Sequence, residues 1–183
     1  MKIIKIDYKN NQILLLENNV IVKVLKEVVI GKNGVTSNKK EGDLCTPMGL
    51  YDLGFAFGLE DNKYNYPYYK INENVYWIDD SNSIYYNHWI ELSNKKIEYP
   101  YKYMESSNKI EWKSAEHLIK YPIEYELAIV IEYNVNPPIQ NKGSAIFLHI
   151  INKTITSGCI ATTKENIIYI LKWLDKDKGK ILV

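Results

Sequence analysis

The sequence predicts a mainly β fold with a C-terminal helix and a loop-rich lobe, and three observations lead to this prediction. Short aliphatic runs, separated by Asn-Asn pairs, fill residues 1–30. Continuous apolar runs at 127–131 and 145–148 have the length and branched side chains of buried strands. The clearest helical period, with apolar residues three and four apart, lies at 167–174.

The N-terminal half divides into strands, a turn and a long aromatic segment. Residues 1–30 predict a meander of short antiparallel strands, because Asn pairs mark turns between the runs. The Gly-Lys-Asn-Gly segment at 31–34 predicts a sharp turn, and residues 50–53 predict a further strand. Residues 59–113 carry many aromatic side chains without a helical period. We expect them to form a surface lobe of loops and short strands, with His88 exposed on it.

The C-terminal half predicts two central strands before the helix. Residues 114–118 could begin a helical turn, residues 125–131 predict a central strand, and residues 144–150 predict the next, with His149 at its end. A loop with Pro137-Pro138 separates these two strands.

The last helix has its own start signal. Thr162 followed three residues later by Glu165 resembles a capping box. Four apolar side chains then share one helix face, namely Ile167, Ile170, Leu171 and Leu174. Because this helix would start shortly after Cys159, we expect the thiol to lie on the loop that enters it.

Composition limits the function classes. The chain has 183 residues, enough for one domain with its own core. A net charge of +1 gives no long-range field that would favour nucleic acid or an anionic membrane. The N-terminus lacks the continuous apolar core of a signal peptide, and no stretch is long enough to span a bilayer. The two cysteines do not have metal-site spacing, so we expect no metal and no cofactor.

The chemistry centres on His149 and Cys159. A thiol is a poor nucleophile until it loses its proton, and a nearby imidazole can accept that proton. A hairpin of about ten residues would bring the two side chains together. The alternative is that Cys159 is a buried structural thiol, which is a common state of free cysteine.

Backbone groups complete the predicted site. The carbonyl of Ile150 is the candidate that orients the imidazole, because no acidic residue lies nearby in sequence. Gly158 would let the amides at 158 and 159 face a developing oxyanion. The helix N-terminus near Thr162 would lower the thiol pKa.

Several segments together resemble the L,D-transpeptidase catalytic domain, or YkuD domain. The segments are 143–149 (Gly-Ser-Ala-Ile-Phe-Leu-His), 156–161 (Thr-Ser-Gly-Cys-Ile-Ala), 31–34, 40–43, 46–54, 79–80 and 85–87. The resemblance covers about residues 25–175. It implies a β-sandwich or barrel-like fold in a single catalytic domain, over 1–183, that acts on peptidoglycan stem peptides.

The resemblance also implies roles for individual residues. Cys159 matches the nucleophile, His149 the base and Gly158 the glycine of the motif. Thr156 matches the Ser or Thr three residues before the cysteine, so it is a candidate for substrate binding. Ser157 is another candidate, although a basic residue is commoner there.

Three further residues have either a structural role or a candidate role in the site. His117 and Tyr86 are candidates for substrate contact, and packing is the alternative for both. Cys45 is interpreted as a small loop residue, since a bridge to Cys159 would block catalysis.

The implied reaction is transfer of a stem-peptide acyl group through a thioacyl-enzyme to an amine, which forms 3→3 cross-links. With water as acceptor the same intermediate gives an L,D-carboxypeptidase. Carbapenem-type acylating agents are the expected inhibitors. A third alternative is a catalytically decayed cell-wall-binding domain, suggested by Ser157 and Ala161, which depart from the commoner motif. The substrate implies the cell envelope, and the cytoplasm is the alternative because no signal peptide is visible.

Overall fold

The computed structural model describes residues 1–92 and 112–183. In these ranges most of the regular structure is β, which confirms the predicted fold class. The strands are β1 (Lys2–Asp7), β2 (Gln12–Glu17), β3 (Val20–Lys26), β4 (Val28–Val29), β5 (Val35–Thr36), β6 (Thr46–Pro47), β7 (Leu50–Gly58), β8 (Tyr68–Lys70), β9 (Val75–Trp77), β10 (Trp89–Glu91), β11 (Glu116–His117), β12 (Leu127–Ile131), β13 (Phe147–Ile150), β14 (Ile160–Thr162) and β15 (Lys180–Leu182). The helix α1 spans Lys164–Leu174, and a 3-10 turn spans Leu118–Lys120. No helix in the described ranges is long and apolar enough to cross a membrane.

A ten-stranded sheet organises the molecule. Its order is β3-β2-β1-β15-β7-β12-β13-β14-β4, with β8 beside β7. β1, β2 and β3 form the predicted antiparallel meander. β15 lies parallel to β1 and antiparallel to β7, so the end of the chain joins the two halves of the sheet. Two small sheets, β10-β9-β11 and β5-β6, are also present among the described residues.

An aliphatic core lies on one face of this sheet and is shared by both of its halves. Ile4 and Ile13 from the meander pack in the same cluster as Ile129 and Leu148 from the central strands. The apolar face of α1 fills this core, and its four predicted side chains, Ile167, Ile170, Leu171 and Leu174, are fully buried. Burial of each such side chain contributes about 1.5–3 kcal/mol.

The predicted start of the helix is wrong by one residue. The N-cap is Thr163, whose hydroxyl accepts a hydrogen bond from the amide of Asn166. Thr162 instead ends β14, and its hydroxyl donates to the carbonyl of Glu27. Thr162 pairs with Val28 of the neighbouring strand β4, so it belongs to the sheet and not to the helix. As a result, a strand and not the helix follows Cys159.

An aromatic core covers the other face of the central strands. Its rings meet mostly edge to face, as in the pairs Phe57–Phe147 at 5.1 Å and Trp77–Phe147 at 4.9 Å between centroids. Such pairs add about 0.5–1.5 kcal/mol beyond burial. The predicted loops and short strands are present in the described part of the aromatic segment. The prediction that this segment lies at the surface is wrong for its described part, because the side chains of Trp77, Tyr86 and His88 are buried. Residues 93–111 of the predicted lobe lie outside the described residues.

The helical turn predicted at 114–118 is also corrected. Glu116 and His117 pair with Trp77 and Tyr76 as strand β11, and a 3-10 turn begins only at Leu118. Pairing with β9 satisfies backbone groups that a helix would otherwise have paired locally.

Candidate active site

Two neighbouring strands place His149 and Cys159 on the same face of the sheet. β13 and β14 are parallel, with His149 opposite Ala161. Since side chains alternate along a strand, Phe147 and His149 share a face with Cys159 and Ala161. This face carries the aromatic core, whereas α1 packs against the opposite face.

The predicted hairpin between the two residues is wrong, because the strands run parallel. The connection carries the chain back along the sheet. On this return path Thr156 pairs with the segment after β4: its amide donates to the carbonyl of Ile30, and its carbonyl accepts from the amide of Lys32. Parallel strands need such a return path, which a tight turn cannot provide.

A cleft of about 190 Å³ opens over these strands. Four of the residues predicted from the sequence line it, namely His149, Thr156, Ser157 and Cys159. Glu116, Tyr121, Glu124, Tyr125 and Lys153 are among the other lining residues. The cleft therefore joins the candidate nucleophile and base to titratable groups from a different part of the chain.

The imidazole of His149 is fixed by the backbone. Its Nδ1 lies 2.8 Å from the carbonyl oxygen of Ile150. A carbonyl only accepts, so Nδ1 carries the proton and Nε2 keeps a free lone pair. This hydrogen bond confirms the predicted orienting role of the Ile150 carbonyl. Burial lowers the pKa of His149 below its usual 6.5, so the ring is neutral at neutral pH.

Backbone groups hold the thiol of Cys159. Its Sγ donates to the carbonyl of Ala145 at 3.1 Å and accepts from the amide of Phe147 at 3.3 Å. Burial, together with the negative charge of Glu116, raises the thiol pKa to about 12. The predicted lowering by the helix N-terminus is wrong, because α1 lies across the sheet from the sulfur.

Two threonine hydroxyls hold the backbone of the nucleophile. Thr156 and Thr46 both donate to the carbonyl oxygen of Cys159, at 2.6 Å and 3.2 Å. The hydroxyl of Thr46 also accepts from the amide of Gly31 at 2.8 Å. The amide of Gly158 donates to Thr156 at 3.2 Å, so this predicted oxyanion donor already has a partner. Thr156 therefore shapes the loop as well as lining the cleft.

Only glycine fits at position 158. Its φ is +139°, and an added Cβ would lie 2.9 Å from the carbonyl oxygen of Cys45. Cys45 and Cys159 are both free thiols. Behind this loop, the buried ammonium of Lys39 pairs with Asp43. The positive charge of Lys39 lowers the pKa of the Cys159 thiol, although by less than burial raises it.

The structure brings Glu116 into the cleft and not its neighbour His117. Successive residues of a strand face opposite ways, so only one of the pair points to the cleft. The His117 ring stacks on Tyr76 at 4.3 Å between centroids, and its Nε2 lies 2.8 Å from the carbonyl oxygen of Glu73. The other predicted contact residue, Tyr86, is buried outside the cleft lining.

Sequence reasoning missed the carboxyl of Glu116. It is half-buried and accepts a hydrogen bond from the hydroxyl of Tyr125. Burial raises its pKa to about 7, and the nearby charges of Asp79, Glu41 and Glu124 add to this effect. No local signal identified it, because residues 114–118 were predicted to begin a helical turn. The strand β11, which turns Glu116 and not His117 to the cleft, is seen only in the structure.

Comparisons with known proteins agree with the fold. The family model of the L,D-transpeptidase catalytic domain, YkuD, matches residues 1–183, a longer span than the 25–175 expected from the motifs. Among curated proteins, no sequence matches the chain.

One solved structure resembles the fold at low sequence identity, and a second is similar with a lower score. The helical cell shape determining protein Pgp2 from Campylobacter jejuni is 16% identical with a TM-score of 0.51, over 99% of this chain and 46% of that one. Bd1075 from Bdellovibrio bacteriovorus is 13% identical with a TM-score of 0.48, over 100% of this chain and 47% of that one. The chain thus spans about half the length of each. Because the family model matches residues 1–183, this chain belongs to the L,D-transpeptidase catalytic domain (YkuD) family.

Proposed function

We propose that the chain is a single catalytic domain of a cysteine-dependent L,D-transpeptidase that acts on peptidoglycan stem peptides. One observation carries the proposal: His149 and Cys159 line the same cleft, on the same face of neighbouring strands. Family membership supplies the substrate class. Because that substrate lies outside the cytoplasmic membrane, we propose action in the cell envelope.

The first half-reaction begins with a proton transfer. The thiol turns from the carbonyl of Ala145 towards the cleft, and its proton passes to Nε2 of His149. The thiolate attacks the carbonyl carbon of the L-centre in the stem peptide. The imidazolium then protonates the leaving D-amino acid, which leaves a thioester on Cys159.

The second half-reaction transfers the acyl group. A neutral amine from another stem attacks the thioester carbonyl while His149 accepts its proton. The carbon–sulfur bond breaks, the thiolate of Cys159 leaves and takes the proton back from His149, and the product is a 3→3 cross-link. Attack by water instead gives a trimmed stem, as in an L,D-carboxypeptidase. Since the amide of Gly158 has a partner, we propose the amide of Cys159 as the oxyanion donor.

A non-catalytic wall-binding domain is the second candidate function. A specific observation favours it: the sulfur is hydrogen-bonded to the backbone of Ala145 and Phe147. Burial also raises the thiol pKa to about 12. In that case the thiol would be structural, and the cleft would bind stem peptides without cleaving them.

Intact-protein mass spectrometry after carbapenem treatment separates the two candidates. Wild type and the matched control Cys45→Ala should both gain one adduct, and Cys159→Ala should gain none. An unmodified wild type would favour the binding domain, and equal adducts on wild type and Cys159→Ala would refute the assignment of the nucleophile. With tetrapeptide muropeptides, dimers would indicate transfer, and tripeptides alone would indicate hydrolysis.

A further inference from the structure

Two carboxyl groups line the cleft that holds the nucleophile. Glu116 and Glu124 both line it together with Cys159. The position of Glu116 is fixed, because the hydroxyl of Tyr125 donates to its carboxylate. The ring of Tyr125 is buried and meets the imidazole of His149 edge-on at 5.9 Å between centroids. Glu116 thus has a defined place relative to the catalytic pair.

The charged neighbours of Glu116 are mostly acidic, although Lys153 lines the same cleft. Its pKa is raised by the charges of Asp79, Glu41 and Glu124. Within residues 1–92 and 112–183, no lysine forms an ion pair with it. A half-buried carboxylate in this situation gains a charge-assisted hydrogen bond when a ligand brings a cation.

We propose that Glu116, held by Tyr125, binds an ammonium group of the substrate beside Cys159 and thereby selects amine-bearing stem peptides. This inference rests on the proposed function and adds a specificity-determining residue to it. The ammonium belongs either to the side chain of the stem that acylates the enzyme or to the stem that accepts the acyl group.

Charged thiol reagents test the ammonium site without any stem peptide. In a Cys45→Ala background, Cys159 is treated with a cationic aminoethyl methanethiosulfonate and with its neutral ethyl analogue. The thiolate attacks the reagent sulfur, a mixed disulfide forms, and methanesulfinate leaves. The ratio of the two rates cancels any change in the thiol pKa.

Glu116→Gln should lower the cation-to-neutral rate ratio about fivefold, as expected for the loss of one ion pair. The matched control is Glu165→Gln, since Glu165 is exposed in the first turn of α1 and does not line the cleft. It should keep the wild-type ratio. An unchanged ratio in Glu116→Gln would overturn the proposal.

Stem peptides with free and acetylated amines identify the source of the ammonium. If it belongs to the donor, acetylation of the donor amine should raise KM for acylation in wild type and have little effect in Glu116→Gln. If it belongs to the acceptor, acylation should be unchanged and the dimer-to-tripeptide ratio should fall in Glu116→Gln. Equal behaviour of wild type and Glu116→Gln in both assays would refute the role. A wild type inactive on every stem would refute the proposed function, and the reagent ratio would still decide whether Glu116 binds a cation.

Discussion

The substitution Glu116→Gln should make the folded state more stable at alkaline pH. The side chain is half-buried, and its pKa is about 7 in place of the ordinary 4.5. An acid with a raised pKa binds its proton more tightly when the protein is folded. The free energy of unfolding therefore decreases as the pH rises from 4.5 to 7. Above pH 7 the full destabilisation by the ionised carboxylate is present.

The two pKa values give the size of this effect. Their difference of about 2.5 pH units corresponds to about 3 kcal/mol at 1.36 kcal/mol per unit. Glutamine has nearly the same shape and no charge, and its side-chain carbonyl still accepts from Tyr125. We therefore expect Glu116→Gln to be more stable than wild type by up to about 3 kcal/mol at pH 8 and by much less at pH 5.

Urea unfolding of both proteins at pH 5 and pH 8 measures the difference. The exposed Glu165→Gln is the matched control and should follow wild type at both pH values. Stability gains in Glu116→Gln that are the same at pH 5 and pH 8 would contradict the reasoning. A loss of stability at pH 8 would show that the ionised carboxylate is favourably paired.

Three further changes test the site. Thr46→Val removes a hydroxyl that donates to the carbonyl of Cys159, and it should lower the unfolding free energy by about 1–3 kcal/mol in thermal denaturation. Gly158→Ala places a Cβ 2.9 Å from the carbonyl oxygen of Cys45 at a φ of +139°, so it should cost about 1–3 kcal/mol and slow carbapenem acylation. Because burial lowers the pKa of His149, the acid limb of acylation by a neutral agent should lie below pH 6.5 in stopped-flow assays.

Each of these expectations has its own control. Thr46→Ser keeps the hydroxyl and should retain most of the stability, whereas equal losses in the serine and valine variants would remove the hydroxyl from the explanation. Wild-type melting and acylation in Gly158→Ala would show that the loop tolerates a side chain. An acid limb above pH 7 would mean that the imidazole is not the neutral, buried group described above.

Local patterns predicted the fold elements whose signals lie within a few residues. The Asn-bounded runs gave the antiparallel meander, and the apolar period at 167–174 gave the buried face of α1. The position of Ile150 next to His149 was enough to predict its orienting hydrogen bond. The helix start was wrong, because pairing with β4 takes Thr162 into the sheet.

The sequence by itself determined the family, the β-rich fold and the candidate pair His149 and Cys159, since short motifs and side-chain periods encode them. Only the tertiary structure decided that the strands run parallel, that the helix lies across the sheet from the thiol, and that Glu116 faces the cleft. Strand register and burial depend on contacts between distant parts of the chain. The pKa of the Cys159 thiol depends on burial and on the charges of Glu116 and Lys39, which are distant in sequence, so no local pattern predicts it.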